Sequence, residues 1–109
     1  MRATILHNPR CSKSRATLAL LHEAGADVTM VDYLADPPTV TELTRLADRA
    51  GLAARDLLRP AARASLASAD EATILSAIAA DPALLERPLV ETPRGVRLCR
   101  PPERVREIL

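Results

Sequence analysis

Apolar residues run unbroken from Ala3 to Leu6, apart from Thr4, and stop at His7-Asn8-Pro9. A short apolar run closed by a turn signal predicts a buried strand. Beyond the turn, Leu18, Leu21 and Ala24 recur at helical spacing, and Gly25 stands where a helix C′ residue belongs. This predicts a helix that begins just after Cys11-Ser12-Lys13-Ser14. Val28 to Tyr33 predicts a second strand, broken by Asp36-Pro37-Pro38.

Helical patterns then dominate. Thr39-Val40-Thr41-Glu42 is a capping box ahead of Leu43, Leu46, Ala47 and Ala50, with Gly51 as the stop. Ala53 to Leu58 predicts a short helical piece before Arg59-Pro60. Ser68-Ala69-Asp70-Glu71 predicts a second capping box leading into Ile74, Leu75 and Ile78, and Asp81-Pro82 ends that helix. Ala61 to Ala67 shows neither periodicity nor turn signals. After Arg87-Pro88 the pattern changes: Leu89 to Thr92, a Pro93-Arg94-Gly95 turn and Val96 to Cys99 predict a β-hairpin. Glu103 to Leu109 predicts a closing helix. The order β-α-β, helices, β-β-α predicts an α/β domain over 1–109, a small mixed sheet with helices packed on it and a helical insertion at about 39–86.

Composition narrows the function. The 109 residues suffice for one core, and 48% apolar with 27% charged residues fits a folded domain. A net charge of +1 lacks the basic footprint of a nucleic-acid binder, so no nucleic-acid partner is expected. No run of eighteen apolar residues exists, and the N-terminus is too short and polar for a secretory h-region. The expectation is therefore a cytoplasmic protein with no membrane partner. There are 14 Arg, one Lys, 20 Ala and 17 Leu, with Tyr33 as the single aromatic residue. Arg is scattered along the chain, a skew that fits codon bias, so a lone Arg is weak evidence for a site. Cys11, Cys99, His7 and His22 follow no metal-ligand spacing, and no metal is expected.

Cys11 is the most informative residue. A thiol at a helix N-terminus feels the positive end of the dipole and unpaired N–H groups, both of which favour thiolate. Lys13 and Arg15 push the same way, and the same N–H groups form a place for an oxyanion. The competing reading is an inert, packed cysteine. Ser14 stands where a redox dithiol would carry its second cysteine, so any resolving thiol is Cys99 or external. Ser14 either donates a hydrogen bond to the thiolate or merely starts the helix. His7 reads as a structural hydrogen bond at a strand end, with a base as the alternative. His22 reads as a partner for a helix C-terminus and Cys99 as a packing residue.

Several separated segments are similar to one family in order and approximate spacing. They are His7-Asn8-Pro9-Arg10-Cys11-Ser12-Lys13-Ser14-Arg15, Tyr33-Leu34 with Pro37-Pro38, Leu57-Leu58-Arg59, Glu86-Arg87-Pro88-Leu89-Val90 and Arg97-Leu98-Cys99-Arg100-Pro101-Pro102. Across essentially the whole chain the sequence resembles the glutaredoxin-coupled arsenate reductases, of thioredoxin-like fold with a four-stranded sheet. The resemblance implies that Cys11 is the nucleophile and that Arg59, Arg87 and Arg100 bind the oxyanion. It further implies that His7 and Asn8 form the loop before the thiol, that Ser14 fills the C-x-x-S/T position, and that Pro88 is the cis-proline opposite it. A multiply charged tetrahedral anion suits guanidinium forks, which would also depress the Cys11 pKa. The implied activity reduces arsenate to arsenite, with glutathione as cosubstrate and glutaredoxin as partner, in a monomer with no tightly bound cofactor. The alternatives are a glutathione-dependent thiol reductase with another substrate, or a non-enzymatic regulator of RNA polymerase. One departure stands out: Pro60-Ala61-Ala62-Arg63 replaces a lysine- and glutamate-containing run, and the stretch from Arg59 to Arg87 is shorter than in familiar relatives.

Overall fold

A computed structural model describes residues 1–109. The elements are β1 (Arg2–Leu6), α1 (Ser12–Glu23), β2 (Asp27–Val31), α2 (Val40–Ala50), a 3-10 turn (Ala54–Leu57), α3 (Pro60–Arg63), α4 (Glu71–Ala80), a second 3-10 turn (Pro82–Leu84), β3 (Leu89–Thr92), β4 (Gly95–Leu98) and a closing 3-10 helix (Pro102–Ile108). The four strands form one sheet in the order β2-β1-β3-β4. β1 pairs parallel with β2 and antiparallel with β3, and β3 pairs antiparallel with β4. The mixed sheet and its helical flanks follow the sequence reading.

β1 lies inside the sheet and is buried on both faces, which accounts for its near-continuous apolar run. Ala3 and Ile5 join Leu21, Val90, Val105 and Ile108 in the core under α1 and the closing helix. Leu6 belongs to the larger core on the opposite face, with Leu43 and Leu46 of α2, Ile74 and Ile78 of α4, and Leu89 of β3. Helices therefore cover both sides of the sheet, and the segment between β2 and β3 builds the larger core. No helix is long and apolar enough to cross a membrane.

Local signals fixed several boundaries. At the end of α1, Gly25 takes φ 72°, its N–H donates to His22 O at 3.0 Å, and the Ala26 N–H reaches Leu21 O at 3.1 Å. That pair of bonds is a Schellman motif. Thr39 Oγ1 caps α2 by accepting the Glu42 N–H at 3.1 Å. The return half of the expected box is absent, because the Glu42 carboxylate pairs with Arg45 at 2.8 Å. The second expected capping box is corrected. α4 starts after Asp70, whose Oδ1 accepts the Thr73 N–H at 2.8 Å, while Glu71 instead accepts the Ala54 N–H at 2.8 Å. Aspartate competes well with serine for a cap, and a tertiary donor drew Glu71 away.

Two further expectations change. The buried face of α1 is Ser14, Thr17 and Leu21, with Leu18 only partly covered and Ala24 exposed. Thr17 tolerates burial because its hydroxyl donates to Lys13 O at 2.8 Å. The closing helix is 3-10 rather than α and is pinned by Thr92, whose hydroxyl donates to Ile108 O at 2.6 Å.

Candidate active site

Cys11 is the N-cap residue of α1, extended at φ −93° and ψ 121°, with 8% of its surface exposed. The Asn8–Cys11 turn brings it there through the Cys11 N–H, which donates to Asn8 O at 3.0 Å. Burial pushes the thiol pKa up, but the backbone N–H groups of Ser14 and Lys13 and the charges of Arg87 and Arg100 together bring it below the ordinary value. No complete side-chain cap bond is formed at Cys11. The N–H groups therefore act on the sulfur as nearby dipoles, and they favour the anion that would complete the cap. Lys13 contributes through its backbone. The Arg15 guanidinium, expected beside the sulfur, instead donates to Pro9 O at 2.8 Å.

The Ser14 hydroxyl does not serve the sulfur. It is fully buried, lies 2.6 Å from His7 Nδ1 and accepts the Asn8 N–H at 3.1 Å. Burial, reinforced by Arg15, lowers the His7 pKa. A neutral ring can take the serine proton at Nδ1, since the backbone N–H occupies one oxygen lone pair. The contact of His7 with Ser14 supplies the hydrogen bond at the strand end. Asn8 Oδ1 accepts the Arg10 N–H at 3.0 Å in an Asx turn, and the Asn8 side chain favours the ionised form of Tyr33.

Arg87 and Arg100, whose charges act on the thiol, each stand just before a cis peptide bond, Arg87–Pro88 and Arg100–Pro101. Pro88 is thus cis, and it precedes β3. Arg100 Nη1 donates to Arg87 O at 3.1 Å, tying the two segments together. Arg87 Nε is the one buried side-chain nitrogen or oxygen in the protein without a hydrogen-bond partner. A buried donor left unmade is costly unless something else satisfies it. Arg59 is exposed and makes no ion pair, and its charge acts on Tyr33. Its backbone is nonetheless fixed, with the Arg59 N–H on Leu84 O at 2.9 Å beside a Leu58–Leu85 bridge. The shortened stretch after it has not freed this strand-like turn.

Two further residues, outside the set the resemblance implies, belong to this neighbourhood. Tyr33 is 1% exposed, and burial raises its pKa, against the pull of the Asn8 side chain, Arg87 and Arg59. Its phenol is therefore a neutral donor beside the thiol. The signal in the sequence was its isolation: it is the only aromatic residue in an Ala/Leu protein. Glu86 is the other, a carboxylate with 5% exposure next to both arginines. Nothing in composition or periodicity marks it.

Cys99 lies at the end of β4, fully buried, with its pKa pushed up to about 12 by that burial. It packs in the core under α1, as expected of a packing residue. No three His, Cys, Asp or Glu side chains converge as a metal site would require. A surface hollow of about 380 Å³ is lined by Arg2, Thr4, Thr29, Arg49, Glu91 and Thr92 among others, and it shares no residue with the Cys11 site.

A thiol at a helix start, acted on by two arginines that each precede a cis-proline, and a four-stranded mixed sheet flanked by helices fit a thioredoxin-like protein. Residues 6–108 match the ArsC family, and the chain belongs to it. It is 43% identical over 115 residues to the arsenate reductase of Rhizobium meliloti (strain 1021), covering 100% of this chain and 82% of that protein. The arsenate reductase of Escherichia coli (strain K12) is 42% identical over 113 residues, covering 97% and 79%. The solved structure of the arsenate reductase from Vibrio cholerae superposes with a TM-score of 0.92 at 40% identity, covering 100% of this chain and 98% of that one.

Proposed function

We propose that this protein reduces arsenate to arsenite, with Cys11 as nucleophile and Arg59, Arg87 and Arg100 as the oxyanion-binding side chains. The observation that carries the reading is the buried, unpartnered Arg87 Nε beside a thiol of lowered pKa. An anion supplies the missing acceptor, and the same cations favour the attacking thiolate. The relatives named arsenate reductase support the substrate.

In the proposed reaction the Cys11 thiolate attacks arsenic(V), forming an S–As bond as one oxygen leaves as water after taking up a proton. Arsenic remains at the +5 state in this adduct. Tyr33, kept neutral by its burial, donates a hydrogen bond to an arsenate oxygen in this reading. Ser14 offers no second thiol and Cys99 is buried, so the resolving thiols come from outside. Glutathione adds to arsenic and displaces a second oxygen as water. A glutaredoxin thiolate then attacks the glutathione sulfur, leaving the electron pair of that S–As bond on arsenic. Water cleaves the remaining Cys11–As(III) bond to release arsenite and the Cys11 thiolate. Over the cycle arsenic gains two electrons and two thiols leave as a disulfide. His7, Asn8, Ser14 and Pro88 shape the loop and its opposing wall. The protein acts as a cytoplasmic monomer with glutathione as cosubstrate and no tightly bound cofactor.

The test is arsenite formation with glutathione and glutaredoxin left out in turn. Arsenite should accumulate catalytically only when both are present. Equal rates without glutaredoxin would overturn the donor assignment, and no arsenite with any thiol donor would overturn the reductase reading.

A further inference from the structure

Glu86 is the one buried acid beside the thiol site, and the proposed reaction gives it no task. Its backbone is locked, with the Glu86 N–H on Leu57 O at 2.7 Å. Its carboxylate divides between two cations. Oε1 lies 3.6 Å from Arg87 Nη1 and accepts the Arg87 backbone N–H at 3.3 Å, while Oε2 lies 3.7 Å from Arg100 Nε. Both ion-pair distances exceed hydrogen-bond range, so the guanidinium N–H groups are held without being consumed. Arg100 has one further tether, from Nη1 to Arg87 O at 3.1 Å. Arg87 Nε, meanwhile, has no partner at all.

Burying a carboxylate is unfavourable unless cations compensate it, and here both compensating cations are site residues. An arginine 35% exposed, as Arg100 is, would otherwise turn into solvent. We propose that Glu86 is a positioning residue: its buried carboxylate straddles Arg87 and Arg100 and aims their free N–H groups at the place where a tetrahedral oxyanion meets Cys11. The proposal rests on the oxyanion-site reading of those two arginines. It also explains how two guanidinium groups can share a small site without an anion bound, since the carboxylate offsets part of their repulsion.

The experiment measures protection of Cys11 from iodoacetamide by arsenate and by inorganic phosphate, together with arsenate turnover, in wild type, Glu86→Gln, Glu86→Asp, Arg100→Ala and the double variant Glu86→Gln/Arg100→Ala. The proposal expects about tenfold weaker protection and a KM for arsenate raised about tenfold in Glu86→Gln, with kcat changed less. Glu86→Asp, which keeps the charge, should recover part of the loss. Because Glu86 acts through the arginines, adding Glu86→Gln to Arg100→Ala should cost much less than it does alone. Additive losses, or unchanged protection in Glu86→Gln, would overturn the proposal. If Glu86→Gln does not fold, Glu86→Asp decides: its shorter reach must weaken protection, and wild-type protection would overturn the proposal. Protection without turnover in wild type would overturn the reductase reading alone, whereas no protection by either anion would overturn both.

Discussion

The Ser14 hydroxyl sits 2.6 Å from His7 Nδ1, so the residue three positions after the thiol holds the preceding loop rather than the sulfur. Together with the Asn8 N–H on the same oxygen, this contact closes the loop that delivers Cys11 to the start of α1. Removing the hydroxyl strands a buried N–H and a ring nitrogen. Ser14→Ala should therefore cost about 1–3 kcal/mol in urea unfolding. Its thiol titration should move little, because the N–H groups acting on Cys11 belong to the backbone. A stability equal to wild type would show that the loop does not depend on Ser14.

Only one thiol should react in the folded protein. Cys11 should be alkylated with a midpoint below the ordinary thiol value of about 8.5, because the backbone N–H groups of Ser14 and Lys13 and the charges of Arg87 and Arg100 outweigh its burial. Cys99, buried and shifted up to about 12, should stay unmodified until the protein unfolds. Alkylation rates against pH with site mapping by mass spectrometry check both statements. A free-cysteine profile at Cys11 would contradict the electrostatic account of the site.

Arg87 should matter more to arsenate than to the fold. It is mostly covered, yet its Nε bonds to nothing in the protein. Arg87→Ala should raise the Cys11 midpoint and lower kcat/KM for arsenate by about 100-fold, equivalent to about 2.7 kcal/mol. Its circular dichroism should remain native. Unchanged kinetics would remove Arg87 from the site.

Away from the site, Glu91 of β3 ties the sheet to α2 through Arg45 at 2.5 Å and Arg49 at 2.6 Å. The hydrogen bond from Arg45, reinforced by Arg49 and opposed by partial burial, holds the Glu91 pKa below its ordinary value. A depressed carboxylate pKa stabilises the fold above the unfolded value of about 4.3, and that contribution fades as pH falls through the folded pKa. Glu91→Gln should cost about 1 kcal/mol or less near neutrality, since the pairs are partly solvated. The difference from wild type should disappear in acid. A gap that persists in acid would point to packing rather than charge.

Much of this architecture is legible in the chain because local rules coincide with the tertiary outcome. Gly25 and Gly51 both adopt the positive φ that ends a helix, and Thr39 caps α2 as its position suggested. Long-range partners account for the misses. Ala54 draws Glu71 out of a local cap, and Ser14 turns its hydroxyl to His7 across the loop. Arg59, Arg87 and Arg100 could not be selected from 14 arginines by composition, and only the family resemblance singled them out. The charges of Arg87 and Arg100 lower the Cys11 pKa, and those of Arg87 and Arg59 act on Tyr33. Glu86 has no local signature, because its role depends on two arginines brought together by separate turns.

In the proposed function, arsenate is reduced through the adduct it forms with the Cys11 thiolate. The most direct test of this claim is NADPH oxidation with arsenate, glutathione, glutaredoxin and glutathione reductase, compared across wild type, Cys11→Ser and Cys99→Ser. Arsenate-dependent oxidation in wild type and Cys99→Ser that is abolished in Cys11→Ser is the expected result. Turnover that survives in Cys11→Ser, or is absent from a well-folded wild type, would contradict it.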